Sequence, residues 1–438
     1  MHQLFTIREL VDEILQPFRK DLTSLSRIAR TCKAFEDPSL DMLWYSQYAI
    51  TPLILVMANF KLCKRYGDEI WRDTTSEEGE SQLRPMKSLY TPRCLGPPSK
   101  ADLVRLHRYA SRIQIFSARP RKSSSSLNII EVDADILHLF THYLGDNPFP
   151  HLHKIIWPID GISASRYSSI QHLFSSQLVS VTLTFPEHYL WKDPRNILEV
   201  TAEMFDVLAR RSDATLETLH IQTIEALPHA AFSAIQRMTY LRVVELPTHH
   251  DYTFWFSLAL LPNLRIIKCQ VVLDPLILPS SLDDIPSINK PFPSLTTLTI
   301  RCGLVECTWL LSFYKLQTVS SLSMSLQEPM DISLTISETR LDFFRTNATS
   351  LSNIFTVITQ QLSENLKSLD LQFRRGLLCG DDESKFLDPP TITHQIIENL
   401  TSSFPNITRF TLDHGWKFNF DDADASLHLL GRSWPQLT

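Results

Sequence analysis

The sequence predicts an α/β fold: a short all-α segment at the N-terminus, followed by an irregular solenoid whose parallel strand wall is backed by helices. Two patterns carry this. The first fifty residues space their apolar side chains by three and four, the period of one helical face. From about residue 150 onward, an apolar triplet at i, i+3 and i+5 recurs nine times. With 43% hydrophobic residues over 438 positions, the chain has enough apolar surface for a large core.

At the N-terminus, Ile7, Leu10, Val11, Ile14, Leu15 and Phe18 define one helical face, broken by Pro17 and the charged Arg19-Lys20-Asp21. Leu22, Leu25 and Ile28 define a second short helix. Asp37-Pro38 reads as an N-cap with proline at the first helical position, opening a third helix whose apolar side is Leu40, Leu43 and Trp44. Three short helices bury too little surface to be stable alone, so they lean on the next domain or on a partner.

The blocks Ile7-Arg8-Glu9-Leu10-Val11-Asp12-Glu13-Ile14-Leu15, Asp21-Leu22-Thr23-Ser24-Leu25, Arg30-Thr31-Cys32-Lys33-Ala34-Phe35 and Leu43-Trp44 together resemble an F-box in its usual order and spacing. The proline usual near the start of that motif, which helps fix the first helix, is Arg8 here. Downstream, Pro97-Pro98-Ser99-Lys100-Ala101-Asp102, Arg105, Arg108-Tyr109-Ala110 and Arg112-Ile113 are similar to the linker helix of F-box proteins abundant in filamentous fungi. There Leu103, Leu106, Tyr109 and Ile113 fall on one helical face, as in any amphipathic helix.

The nine triplets are Leu152-Ile155-Trp157, Leu178-Val181-Leu183, Leu216-Leu219-Ile221, Leu241-Val244-Leu246, Leu264-Ile267-Cys269, Leu295-Leu298-Ile300, Val319-Leu322-Met324, Leu366-Leu369-Leu371 and Ile407-Phe410-Leu412. Residues i+3 and i+5 are two apart and point to the same face of a strand, while residue i tucks in from the preceding bend. Turn-like lead-ins introduce several copies: Leu261-Pro262-Asn263, Phe292-Pro293-Ser294 and Phe404-Pro405-Asn406. Trp434-Pro435-Gln436-Leu437 reads as a tenth lead-in. Copies begin roughly 23 to 47 residues apart, against about 20–29 in a regular repeat, so the array resembles the irregular leucine-rich repeats of F-box proteins. The fixed asparagine or cysteine after the third apolar position is absent, with Cys302 and Cys269 the nearest approach to it. The alternative is a mixed α/β domain with incidental matches.

The crossings between strands read as helices: Met204, Phe205, Leu208 and Ala209; Leu351, Ile354, Phe355, Ile358 and Leu362; Ile392, Ile396, Leu400 and Phe404. The predicted domains are 1–48, the F-box; 49–145, linker helices and loops; and 146–438, the solenoid. Leu183, Leu219, Leu298, Leu322 and Leu369 are expected to be buried along parallel strands.

A net charge of −6 argues against a general nucleic-acid or anionic-membrane binder. The longest apolar run, Ile50 to Phe60, is about half a bilayer span, and Met1 to Leu10 lack the features of a signal peptide. Seven scattered cysteines (32, 63, 94, 269, 302, 307 and 379) without a C-x-x-C pair read as thiols in a reducing compartment, the cytosol or nucleus. Asn347, Asn399 and Asn406 open N-x-S/T triplets that mean nothing without secretion.

Chemistry-bearing motifs are weak. Phosphate-loop, dinucleotide, H-E-x-x-H and serine-elbow signatures are missing, and ten glycines disfavour Gly-rich cofactor loops. His138 and His142, four apart, project opposite the apolar face of Ile136, Leu139, Phe140 and Tyr143 and read as a solvated face. His249-His250-Asp251 reads as a loop, as do Arg119-Pro120-Arg121-Lys122 with its serines and the acidic Asp381-Asp382-Glu383. No catalytic residue, metal site or cofactor is expected.

The F-box resemblance implies the substrate-recognition subunit of a cullin–RING ubiquitin ligase, binding a Skp-family adaptor and cullin at one end and an unknown protein substrate on the repeats. It implies adaptor contacts at Ile7, Leu10, Val11, Ile14, Leu15, Leu22, Leu25, Phe35, Leu43 and Trp44, with Leu10 and Leu15 replaceable without unfolding. A repeat scaffold with a non-functional F-box is the alternative. The substrate is expected on the outward side of the strand wall, at His220, Glu245, Lys268, Arg301 and Asp370, each one residue after an inward position. The full outward row adds Ile156, Thr182, Thr299, Ser323 and Thr411.

Overall fold

A computed structural model describes residues 7–48, 50–57, 60–64, 71–75, 81–85, 90–94, 96–117, 141–158, 170–184, 194–222, 227–249, 252–271, 290–303, 307, 310–312, 314–327, 351–374, 391–413, 417–419 and 423–437. They fall into two compact units that divide between Leu216 and Glu217.

The first unit opens with helices α1 (Arg8–Leu15), α2 (Leu22–Ile28) and α3 (Lys33–Tyr45). Val11, Leu15 and Leu25 form their shared core, with Ile28, Phe35, Met42 and Leu43 packed against it. Asp21 caps α2 by accepting the Thr23 and Ser24 amides. The third helix begins five residues before the expected start, and Pro38 lies inside it. The earlier start places Phe35 in the first turn of α3, where it packs against the α1–α2 core.

Helix α3 runs into strand β1 (Ser46–Gln47), and α4 (Thr51–Ile54) follows. Two antiparallel pairs come next: β2 (Phe60–Lys64) with β5 (Tyr90–Cys94), and β3 (Trp71–Thr75) with β4 (Ser81–Pro85). Helix α5 (Lys100–Ala110) starts at a reciprocal Ser99/Asp102 capping box. It ends before Ile113, which is buried in the bend ahead of β6 (Ile115–Ser117) and so does not extend the helical face. Strands β7 (Lys154–Pro158) and β8 (Ser180–Thr184) complete a parallel wall in the order β1-β6-β7-β8, and α6 (Pro194–Ser212) buries Met204, Phe205, Leu208 and Ala209.

The second unit is built on a parallel wall in chain order: β9 (Thr218–Gln222), β10 (Val243–His249), β11 (Ile266–Val271), β12 (Thr297–Gly303), β13 (Ser321–Gln327), β14 (Ser368–Arg374) and β16 (Arg409–Leu412). A separate parallel pair joins β15 (Thr391–Thr393) to β17 (Lys417–Asn419). Crossings carry α7 (His229–Arg237), α8 (Tyr252–Ala259), α9 (Leu351–Gln361) and α10 (His394–Ser403), and α11 (Ala423–Ser433) follows β17. Parallel strands need such crossovers, which place helices behind the wall. Ile392 is buried on β15 rather than on the helix, which begins two residues later.

The nine triplets are the nine strands β7 to β14 and β16, so the fold is a leucine-rich-repeat-like α/β array: a parallel strand wall backed by helices. Leu183, Leu219, Leu298, Leu322 and Leu369 are all buried. The copies share one hydrogen-bonding device. The carbonyl of residue i+1 accepts two amides from the next copy, as Glu217 does from Arg242 and Val243, Arg242 from Arg265 and Ile266, and Arg265 from Thr296 and Thr297. Both lone pairs of that carbonyl are thereby used where the strand begins.

The same device appears once in full upstream of the first triplet, at Gln114, and as a single bond at Tyr45. Gln114 O accepts from His153 and Lys154, and Tyr45 O accepts from Gln114. Two strands, β1 and β6, therefore precede the nine found from the pattern.

The lead-in residues have a definite role. Asn263 donates to Thr239 O at 2.9 Å, Ser294 to Pro262 O at 2.6 Å and Asn406 to Glu364 O at 3.2 Å. Side chains just before residue i thus satisfy bend carbonyls of the preceding copy, work that a fixed asparagine ladder would otherwise do. Behind the wall, ring contacts of 5.2–6.4 Å link Phe232, Phe254, Trp255, Phe292 and Tyr314 in one series.

Candidate functional site

Two surfaces hold the residues singled out from the sequence. On the first, the α1–α2 segment, those residues divide into two groups. Val11, Leu15 and Leu25 are core, Phe35 and Leu43 pack against that core, and Trp44 is buried. These hold the helices together. Facing outward are Ile7 (46% exposed), Leu10 (39%), Ile14 (47%) and Leu22 (45%), joined by Phe18 (37%) from the turn between the helices. Scattered exposed leucines are ordinary; five large apolar side chains exposed within sixteen residues make this segment a candidate interaction surface.

Arg8, standing where proline is usual, is the first residue of α1. Its guanidinium bonds Asp12 at 3.2 Å within the helix and Asp41 of α3 at 2.6 Å. An ion-pair tie to α3 thus anchors the helix start that a proline ring would have fixed through φ.

That tie belongs to a larger network. Arg112 pairs with Asp37 at 2.5 Å and with Asp41, and Arg108 reaches Glu36 and Asp37, each at 2.9 Å. Trp44 stacks on Tyr109 at 4.8 Å between centroids. Helix α5 and the bend after it are therefore clamped to α3, which leads directly into the first wall strand. Arg108 and Arg112 were visible in the sequence only as part of the linker-helix resemblance; their acidic partners lie more than seventy residues away.

The clamp has a pH signature. Arg108, and then Arg112, hold the Asp37 carboxyl below the usual carboxylate range through hydrogen bonds. A folded-state value below the unfolded one makes the stabilisation complete above about pH 4 and lost as pH falls through the lower folded value. Asp37 is 59% exposed, so screening limits the contribution to at most about 1 kcal/mol. Acid titration should release the Trp44 indole resonance below about pH 4, and Asp37→Asn should flatten that transition.

The second surface is the strand wall. Parallel register aligns the predicted outward residues into one row in the second unit: His220, Glu245, Lys268, Thr299, Ser323, Asp370 and Thr411 lie side by side on successive strands. Arg301 is exposed in the next row, between Gln270 and Ser325. In the first unit Ile156 and Thr182 pair in the same way, with Thr182 buried.

One oxygen of each carboxylate in the row is already engaged, while Asp370 Oδ1 is buried and meets no hydrogen-bond partner among the described residues. Glu245 lies 2.8 Å from His220 Nδ1, and Asp370 accepts from Ser323 at 3.1 Å and Gln372 at 3.5 Å. Just below the row, Glu217 pairs with Arg242 at 3.3 Å.

Other sequence candidates are not assembled into sites. His142 is exposed beside Tyr143, and His138 lies outside the described residues. Only His249 of His249-His250-Asp251 is described, at the end of β10. The Arg119–Lys122 and Asp381–Glu383 segments lie outside the described residues. Cys269, Cys302 and Cys307 are buried thiols outside any disulfide, Cys32 is partly exposed, and burial pushes the Cys269 thiol up. Among the described residues no group of three metal-ligating side chains forms, and no helix is long and apolar enough to cross a membrane.

No protein-family model matches the chain, and no curated protein matches it. Among solved structures it is similar to a leucine-rich-repeat protein from Leptospira interrogans, at 11% identity over 76% of this chain and 73% of that one, with a TM-score of 0.33. The repeat assignment rests on the parallel ladder itself.

Proposed function

We propose that the chain is a substrate-recognition subunit of a cullin–RING ubiquitin ligase: the α1–α2 face docks a Skp-family adaptor, and the repeat wall holds a target protein. The observation that carries this reading is the exposed apolar set Ile7, Leu10, Ile14, Phe18 and Leu22 on helices whose opposite side is fully packed. It supports the reading because this surface falls within the F-box-like blocks and consists of residues the cluster does not need for its own core. The chain carries out no chemistry of its own. It acts by proximity, holding adaptor, cullin and target in one assembly so that ubiquitin transfer becomes effectively intramolecular. The setting is the cytosol or nucleus.

Size-exclusion chromatography of the full chain mixed with purified adaptor tests this reading. A one-to-one complex is expected. Ile14→Glu with Leu22→Glu should abolish it while leaving circular dichroism unchanged, because both side chains are exposed and the substitutions place charge in a desolvated interface. A folded chain that forms no complex is a repeat scaffold acting outside a ubiquitin ligase.

A further inference from the structure

We infer that the wall of the second unit receives an acidic segment of its protein partner. This rests on the wall being the partner-binding face, and it adds the partner's chemistry. The chain as a whole carries a net charge of −6, yet the outward charges here are unequal in availability. Glu217, Glu245 and Asp370 are each turned to a neighbour within the wall: Arg242, His220, and Ser323 with Gln372. By contrast Arg265, Lys268, Lys367 and Arg409 are exposed and make no ion pair among the described residues.

Lys268 lies on β11 and Arg409 on β16, four strand steps apart in the wall. At the usual strand spacing that is roughly 19 Å, the reach of about six extended residues. Between their strands the row holds Thr299 and Ser323, both short, and Asp370, which is half-buried and turned to Ser323 and Gln372, so a partner backbone can approach the sheet closely while its carboxylates meet the flanking cations. Opposite charge at both ends fixes register and speeds encounter.

The test uses the full chain and a fluorescent peptide of alternating Glu, Asp and Ser, about twelve residues long and so able to span both cation pairs. Its Gln/Asn counterpart and a single-stranded DNA oligonucleotide serve as comparisons. Anisotropy should report binding of the acidic peptide that weakens as salt is added, and binding about ten-fold or more weaker to the amide peptide. Lys268→Glu with Arg409→Glu should lower acidic-peptide affinity by about ten-fold or more, leaving adaptor binding unchanged. Ser323→Trp, which blocks the wall without changing its charge, should lower it as well.

Absence of acidic-peptide binding, binding indifferent to the charge reversals, or tighter binding of DNA would each overturn the inference. Equal binding of both peptides that Ser323→Trp nevertheless removes would leave the wall as the docking face and refute the acidic partner. Loss of adaptor binding in wild type would strike the ligase reading alone.

Discussion

Leu15→Ala is expected to unfold the N-terminal helical cluster rather than trim a contact surface. Leu15 has 0% exposure and packs with Val11 and Leu25 at the centre of a core only three helices deep. Removing a buried leucine to alanine costs roughly 2–5 kcal/mol, the upper end where the surroundings cannot collapse. A cluster this small has little stability to lose. Leu10→Ala, five residues earlier on the same helix and 39% exposed, should leave the melting curve nearly unchanged and weaken adaptor binding instead. Thermal unfolding followed at the Trp44 indole separates the two, and equal melting for both variants would contradict the division of this helix into a packed side and an offered side. The sequence expectation that both leucines tolerate replacement without unfolding therefore holds for Leu10 only as a prediction and is corrected for Leu15.

Trp434→Ala is expected to produce the second large loss. The indole is 1% exposed, donates from Nε1 to Phe404 O at 2.7 Å and lies 5.1 Å from the Phe410 ring. Truncating a buried tryptophan costs about 3–5 kcal/mol, and the freed Phe404 carbonyl loses its donor as well. Because Phe404 leads into the copy that forms β16, the effect should concentrate there. Hydrogen exchange should accelerate in β16 and α10 of the variant before it changes in β10 or β11. Uniform acceleration along the second unit would show instead that the wall unfolds as one block.

The strand wall was legible because its signal is repeated. Each triplet alone is weak, but nine of them recur, and three follow turn-like lead-ins whose Asn263, Ser294 and Asn406 turn out to bond the preceding copy. Period two then placed His220, Glu245, Lys268 and Asp370 in one row, since register in a parallel array follows from the repeat itself.

What stayed hidden has physical reasons. Strand β1 has Gln47 where the pattern calls for an apolar residue, and the copy that forms β6 has Ile113 and Phe116 at i and i+3 but only Ala118 at i+5, so neither stood out. Helices α7 and α8 escaped because they are short, nine and eight residues, and α8 is apolar nearly all round, so neither shows a clear helical stripe. The start of α3 was misplaced because the proline signal is local, whereas the packing of Phe35 against the α1–α2 core is not. The division of the F-box-like residues into core and surface was not available from periodicity either. Val11 and Ile14 are both apolar and three apart, yet one is 1% and the other 47% exposed. That difference is set by where α2 and α3 pack, a tertiary fact.

The docking claim meets its most direct test in hydrogen–deuterium exchange on the full chain with and without a saturating Skp-family adaptor. Slowed exchange is predicted across α1, the turn containing Phe18 and the start of α2, with the strands of the second unit unchanged. Unaltered exchange throughout Ile7–Leu25 in the presence of the adaptor would contradict the account.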